Sequence, residues 1–283
     1  MESLKNTYTQ AMHILPEGAY KLSSVVSIAG SDSSGGAGIQ ADIKTIEALG
    51  LFAQTVVTAI TAQNTLGVTD IADIPESTVR AQIDAVFDDI RPQAVKIGMV
   101  SSPSIIAAIA EGLRAHNARN IVVDPVMVST SGSRLMSEEA LGVLKSELFA
   151  LADVITPNIP EAQILTGMTI DSDEAMIAAA DALCEMVDHA VVMIKAGHAL
   201  GHANDLIVVN GEHIWLEGVR IDSHNTHGTG CTLSSAIACG LAMGLCVEEA
   251  IREAKNYVAG ALQAGMDMGQ ASGPLDHMWF HRL

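Results

Sequence analysis

The sequence predicts an α/β fold built on a mostly parallel sheet, and three observations lead there. Short β-branched apolar runs alternate with alanine-rich helical runs along the chain. The strand-like runs are almost continuously apolar, the pattern of strands covered on both faces. An Asn210-Gly211 pair joins two further strand-like runs, which marks a type I′ turn and so an antiparallel edge hairpin.

Taken in order, each expected strand stops at a polar, glycine or proline break before the next helix. Ser24–Ala29 ends at Gly30 to Gly38, which opens a helix over Ile39–Leu49. Gln54–Ile60 is followed by Gln63-Asn64 and a helix over Ser77–Asp89. Ala94–Ile97 leads through Gly98-Met99 to Ser102–His116, and Asn120–Asp124 through Pro125-Val126-Met127 to Ser137–Phe149. Val154–Thr156 leads through Pro157-Asn158 to Asp173–Met186. Val191–Lys195 leads through Gly197-His198 to the hairpin Asp205–Val209 and His213–Val219. Helices over Thr232–Met243 and Val247–Met266 close the chain. Ligands of such sheets bind beyond the carboxyl ends of the strands, where these breaks cluster.

At 283 residues without a Pro-, Gly- or Ser-rich linker, one domain over 23–283 is expected. Residues 1–22 are expected as an N-terminal extension, a tail or an extra turn open to disorder. Hydrophobic residues make up 49% and aromatic ones 3%, so the core is aliphatic. A net charge of -18 argues against nucleic acid or an anionic membrane as partner. The four cysteines form no Cys-x-x-Cys pair, and the polar start lacks the apolar run of a secretory leader, so a cytoplasmic protein is expected.

The segment His227-Gly228-Thr229-Gly230-Cys231 carries the sharpest chemistry. A glycine turn opening a helix directs backbone N–H groups and the positive helix end at one point, which suits a phosphoryl group. The same dipole pulls a thiol at the helix start, Cys231, toward thiolate and makes it a candidate base. A tight turn beside a buried cysteine is the plain alternative. The P-loop pattern is absent, and Gly35-Gly36-Ala37-Gly38 does not spell a dinucleotide fingerprint. Asp124 and Glu161 are placed to hold Mg²⁺ through water, although Glu161 also fits a helix start. Lys195 ends an apolar strand, where its charge needs a partner such as a triphosphate or a neighbouring acid. Gln63 offers an acceptor and two donors suited to an aminopyrimidine edge, or to bracing a loop. Asp42, one turn into its helix, reads equally as a helix N-terminal acid.

Jointly, Ile28 to Asp42, Thr61 to Thr65, Lys96 to Met99, Asp124 to Met127, Thr156 to Ala162, Lys195 to His198 and His227 to Cys231 resemble the ribokinase superfamily. Within it they resemble the hydroxymethylpyrimidine and phosphomethylpyrimidine kinases of thiamin synthesis. The resemblance runs from about Val25 to His277. It implies a ribokinase-like fold without a separate lid domain, and transfer of phosphate from ATP, with Mg²⁺, to a small pyrimidine alcohol and then to its monophosphate. It implies catalysis by Cys231, Gly228, Thr229, Gly230 and Lys195. Substrate is expected on Gly30, Asp42, Gln63, Met99 and Val126, nucleotide and phosphate on Asn158, Lys195, Thr226, Gly228 and Gly230, and metal on Asp124 and Glu161. A homodimer is implied as well. Pyridoxal kinases on the same scaffold are the competing reading. Those with a cysteine in the Cys231 position tend to carry a second one in the loop after Asp-Pro-Val-Met, and the loop from Val128 to Leu135 has none.

Overall fold

The computed structural model describes residues 12–14, 20–127, 136–197, 203–218 and 221–282. Two short strands, β1 (Met12–Ile14) and β2 (Tyr20–Leu22), pair antiparallel in the segment read as a tail. The remaining strands are β3 (Ser24–Asp32), β4 (Phe52–Asn64), β5 (Gly67–Asp73), β6 (Ala94–Ile97), β7 (Ile121–Val123), β8 (Val154–Ile155), β9 (Val191–Ile194), β10 (Asp205–Val209) and β11 (Glu212–Leu216). They form one nine-stranded sheet in the order β11-β10-β9-β8-β7-β6-β3-β4-β5. The pairs from β9 through to β4 are parallel, whereas the pairs β9–β10, β10–β11 and β4–β5 are antiparallel.

Helices α1 (Gly38–Ala48), α2 (Glu76–Asp88), α3 (Pro103–Ala115), α4 (Glu138–Val143), α5 (Ile159–Thr166), α6 (Asp173–Cys184), α7 (Thr229–Ala242) and α8 (Val247–Gln263) cover the sheet. The period-two alternation of strand side chains splits the core in two. Val26, Ile121 and Val123 pack with α2, α3, α5 and α6, while Val25 and Val122 pack with α7 and α8. Both faces are buried, which is why the strands read as continuous apolar runs.

Asn210 (φ 51°) and Gly211 (φ 82°) make the expected left-handed turn of the edge hairpin. Three elements differ from the sequence expectation. β4 continues to Asn64 and folds back as β5, a second antiparallel edge. Its polar, exposed residues hide it from a reading that seeks apolar runs. The helix expected over Ser137–Phe149 breaks after Val143 into a π turn and a 3₁₀ turn. Helix α5 is too short to show a period, and it starts at Ile159, two residues before Glu161, which fits a helix start.

The chain leaves β3 in both directions: to β4 on one side and, after α2, to β6 on the other. That reversal opens a crevice at the carboxyl ends of β3 and β6, the place where such sheets bind ligands.

Candidate active site

A cleft of about 880 Å³, counting its open mouth, fills that crevice. Every expected site residue except Asp42 lines it: Gly30, Gln63, Met99, Asp124, Val126, Asn158, Glu161, Lys195, Thr226, Gly228, Thr229, Gly230 and Cys231.

One wall is the start of α7. Gly228 stands before the helix at φ 83°, a left-handed conformation that disfavours a side chain, and a Cβ there would overlap the Gly36 carbonyl oxygen. The Thr229 hydroxyl donates to the Thr226 carbonyl at 2.7 Å and tightens the turn. No side chain caps this helix end. The Thr229 N–H is taken by the Thr226 carbonyl at 3.2 Å, and Gly230 and Cys231 border the cleft with the positive end of the helix behind them, an arrangement suited to cradle an anion. The Cys231 thiol behaves differently from the sequence expectation. Burial pushes it up to about 11, outweighing Lys96 and the Gly38 N–H, which both favour the thiolate. Desolvation of the thiol overrides the dipole.

The charges stand close beside this helix start: a Cβ on Gly230 would come within 3.2 Å of Asp124 Oδ2 and 3.4 Å of Lys195 Nζ. Lys195 donates to Asp124 at 2.8 Å, and Thr156 donates to the same oxygen at 3.0 Å. Burial opposes the lysine charge, but Asp124 and Glu161 outweigh it and hold its pKa above the ordinary value. Asn158 and Glu161 form a reciprocal cap on α5: the Glu161 N–H donates to Asn158 Oδ1 and the Asn158 N–H to Glu161 Oε2, each at 2.8 Å. Glu161 thus caps the helix, one of its two readings, and also borders the cleft. Burial, with Asp124 nearby, raises its carboxyl to about 7 despite Lys195. No group of three or more metal-binding side chains occurs among the described residues.

On the substrate side Gly30 is packed against Met99, whose Cε occupies the space of a Cβ. Gln63 sits near the end of β4, paired with Val68 where the β4–β5 register shifts. Its backbone is clamped by Ser33, whose hydroxyl donates to the Gln63 carbonyl at 2.6 Å and accepts its N–H at 2.8 Å.

Asp42 is placed elsewhere. It is fully buried behind the cleft, where it accepts Ser27 at 2.5 Å, Lys96 at 2.8 Å and Ser235 at 2.8 Å. One helical turn into α1 it points into the sheet, so it binds a buried lysine rather than lining the cleft. Sequence reasoning missed Asp32, Thr61 and His227, which also line the cleft. Asp32 falls within the stretch from Ile28 to Asp42, and His227 directly precedes Gly228, but neither position alone carries a chemical signal.

A parallel sheet with a ligand crevice at its reversal, an uncapped anion cradle and a lysine between two carboxylates define a phosphotransferase. The family model for phosphomethylpyrimidine kinase matches residues 32–276, and the chain belongs to that family. A hydroxymethylpyrimidine/phosphomethylpyrimidine kinase of Rhizobium meliloti (strain 1021) is 51% identical over 261 residues, covering 91% of this chain and 97% of the relative. The crystal structure of a phosphomethylpyrimidine kinase from Clostridium difficile 630 is 45% identical, with TM-score 0.75, covering 83% of this chain and 97% of that one. An ADP complex of Bacillus subtilis pyridoxal kinase is 35% identical, with TM-score 0.85, covering 92% and 98%.

Proposed function

We propose that this phosphotransferase moves the γ-phosphoryl group of ATP to the 5-hydroxymethyl oxygen of 4-amino-5-hydroxymethyl-2-methylpyrimidine, then phosphorylates that product to the diphosphate for thiamin synthesis. The observation that carries the reading is the shape of the cleft. A planar amide, Gln63, lines the cleft with Gly30, Met99 and Val126, and its nitrogen lies 3.5 Å from His227 Nε2, beside the turn that opens α7. An aminopyrimidine edge on Gln63 brings the hydroxymethyl arm toward that turn.

In the transfer, the alcohol oxygen forms a bond to the γ-phosphorus while the bridging bond to ADP breaks. Charge on the moving group meets the N–H groups of Gly230 and Cys231 and the Lys195 ammonium. The alcohol proton passes to the minor thiolate form of Cys231, since the raised thiol is mostly protonated at pH 7. Asp124 and Glu161 fit Mg²⁺, which binds few carboxylates and completes its shell with water and phosphate oxygens. When bound, the ion neutralises phosphate charge. Asn158, already fixed as the cap of α5, presents its amide beside those carboxylates, and Thr226 lies at the nucleotide end of the cradle.

Pyridoxal is the second reading, favoured by the likeness to the Bacillus subtilis enzyme. The loop whose missing second cysteine argues against it, 128–135, lies outside the described residues. Incubation with ATP, Mg²⁺ and either alcohol, followed by mass spectrometry and kcat/KM, separates the two. The pyrimidine is expected to win and to yield mono- and diphosphate, and a larger kcat/KM for pyridoxal reverses the assignment.

The reading includes a cytoplasmic homodimer. No helix among the described residues is long and apolar enough to cross a membrane. Ile60 (48% exposed), Leu66 (62%) and Ile71 (43%) on the β4–β5 edge support association with a second copy.

A further inference from the structure

The loop after β3 and the cradle before α7 come from opposite ends of the chain and meet at one charged contact. His227 Nε2 lies 2.8 Å from Asp32 Oδ2, and both side chains are buried, at 7% and 3% exposure. Each partner is anchored on its own side. Asp32 accepts the Ser34 N–H and hydroxyl on one oxygen and the Ala37 N–H on the other, all at 2.8 Å. Those bonds and His227 overcome the opposing effect of burial and bring the Asp32 carboxyl down to about 2, so it is an anion at any working pH. A carboxylate only accepts, so His227 Nε2 carries the proton it donates. The His227 N–H donates to the Gly273 carbonyl at 3.0 Å, and the next residue is the left-handed Gly228 of the cradle.

The loop that Asp32 organises is also the one that grips the substrate side. Ser33 clamps the backbone of Gln63 in both directions, and the Gln63 amide nitrogen stands 3.5 Å from His227 Nε2. A continuous path therefore runs from Gln63 through Ser33 and Asp32 to His227 and the cradle. We propose that His227 is a positioning residue for phosphoryl transfer, holding the acceptor alcohol and the anion cradle in register through its bond to Asp32. The proposal rests on the phosphoryl-transfer reading of the cleft. Displacing reacting groups by about 1 Å can cost roughly 10²-fold in rate without removing any group that touches them.

His227→Ala removes the donor, while His227→Gln places an amide N–H near the position of Nε2. The expected result is a kcat lowered about 10- to 100-fold in His227→Ala. ADP affinity stays within about threefold and circular dichroism is unchanged. His227→Gln is expected to recover to within about fivefold of wild type. Titration calorimetry with ADP plus aluminium fluoride and Mg²⁺, a mimic of the phosphoryl group in transit, is expected to show a loss in His227→Ala that follows kcat rather than ADP affinity. Rates are compared on whichever alcohol the wild type turns over, so a preference for pyridoxal removes the substrate assignment and leaves this test standing. If neither alcohol is turned over, the mimic decides alone. The proposal is overturned if His227→Ala keeps kcat within about twofold, if His227→Gln is as impaired as His227→Ala, or if the mimic binds both variants as tightly as wild type. Where His227→Ala fails to fold, the wild-type and His227→Gln comparison decides: a Gln variant below about fivefold recovery overturns it.

Discussion

Two glycine-rich loops in this molecule each open a helix, and they end up with opposite chemistry. In the loop from Ser33 to Ala37, the chain supplies its own anion: the Asp32 carboxylate accepts the N–H groups of Ser34 and Ala37. In the turn from Thr226 to Cys231 no carboxylate does so, and the start of α7 is left uncapped at the edge of the cleft. The first loop is therefore satisfied and serves as scaffold. In the second, Ser272 and the Gly273 and Thr226 carbonyls take the N–H groups of Thr226, His227 and Thr229, and Gly230 and Cys231 stay at the edge of the cleft. Glycine spacing does not distinguish them, because the deciding feature is whether a nearby carboxylate folds back into the turn.

The contrast breaks most visibly at the glycines themselves. Gly228 and Gly35 both have left-handed φ, at 83° and 80°. A Cβ on Gly228 meets the Gly36 backbone, whereas one on Gly35 meets only the end of the flexible Lys44 side chain. Gly228→Ala is expected to lower kcat by about 10³-fold, the scale of losing donors to the transferring charge. Gly35→Ala is expected to cost about 1–2 kcal/mol of stability and keep its rate. Kinetics and thermal melts of the two variants side by side check this, and equal rate losses would erase the difference between the loops.

Gln63→Leu leaves a polar ligand edge unpaired. A loss of about 10²-fold or more in kcat/KM is expected with the pyrimidine and a smaller one with pyridoxal. Equal losses would make Gln63 a brace for its loop.

The raised Cys231 thiol gives the next effect. A group deprotonating near 11 is almost all thiol at pH 7, and its thiolate fraction grows with pH toward that value. The single-turnover advantage of wild type over Cys231→Ala is therefore expected to widen from about tenfold at pH 7 to about 10³ at pH 9. A ratio independent of pH would leave the backbone cradle as the catalytic device without a thiolate base.

Glu161 gives the smallest effect. Its carboxyl titrates near 7, so below that pH a proton competes with the metal. The Mg²⁺ concentration for half-maximal rate is expected to fall about tenfold from pH 6 to pH 8 in wild type. In Glu161→Gln it is expected to be higher and nearly flat, and an unchanged magnesium curve would confine Glu161 to capping α5.

Much of this was legible in the sequence because it follows from local pattern. The buried parallel strands show as apolar runs, Asn210-Gly211 shows as a hairpin, and the breaks at the strand ends mark the cleft. What stayed hidden depends on partners far along the chain. Asp42 reads as a site acid until Lys96, 54 residues away, is seen bonded to it. The Asp32–His227 contact spans 195 residues. Cys231 reads as a lowered thiol because the helix start is local, while the burial that raises it comes from the whole fold. β5 stayed hidden for a different reason: it is polar and exposed, and its pairing with β4 leaves no apolar signature.

The central claim is that the open loop takes the phosphate and the closed loop does not, and amide chemical shifts test it directly. In ¹⁵N-labelled wild type titrated with ATP and Mg²⁺, the N–H signals of Gly230 and Cys231 are expected to shift strongly, while those of Ser34 and Ala37, already held by Asp32, stay near their free positions. Large shifts at Ser34 and Ala37 with Gly230 and Cys231 unmoved would contradict the account.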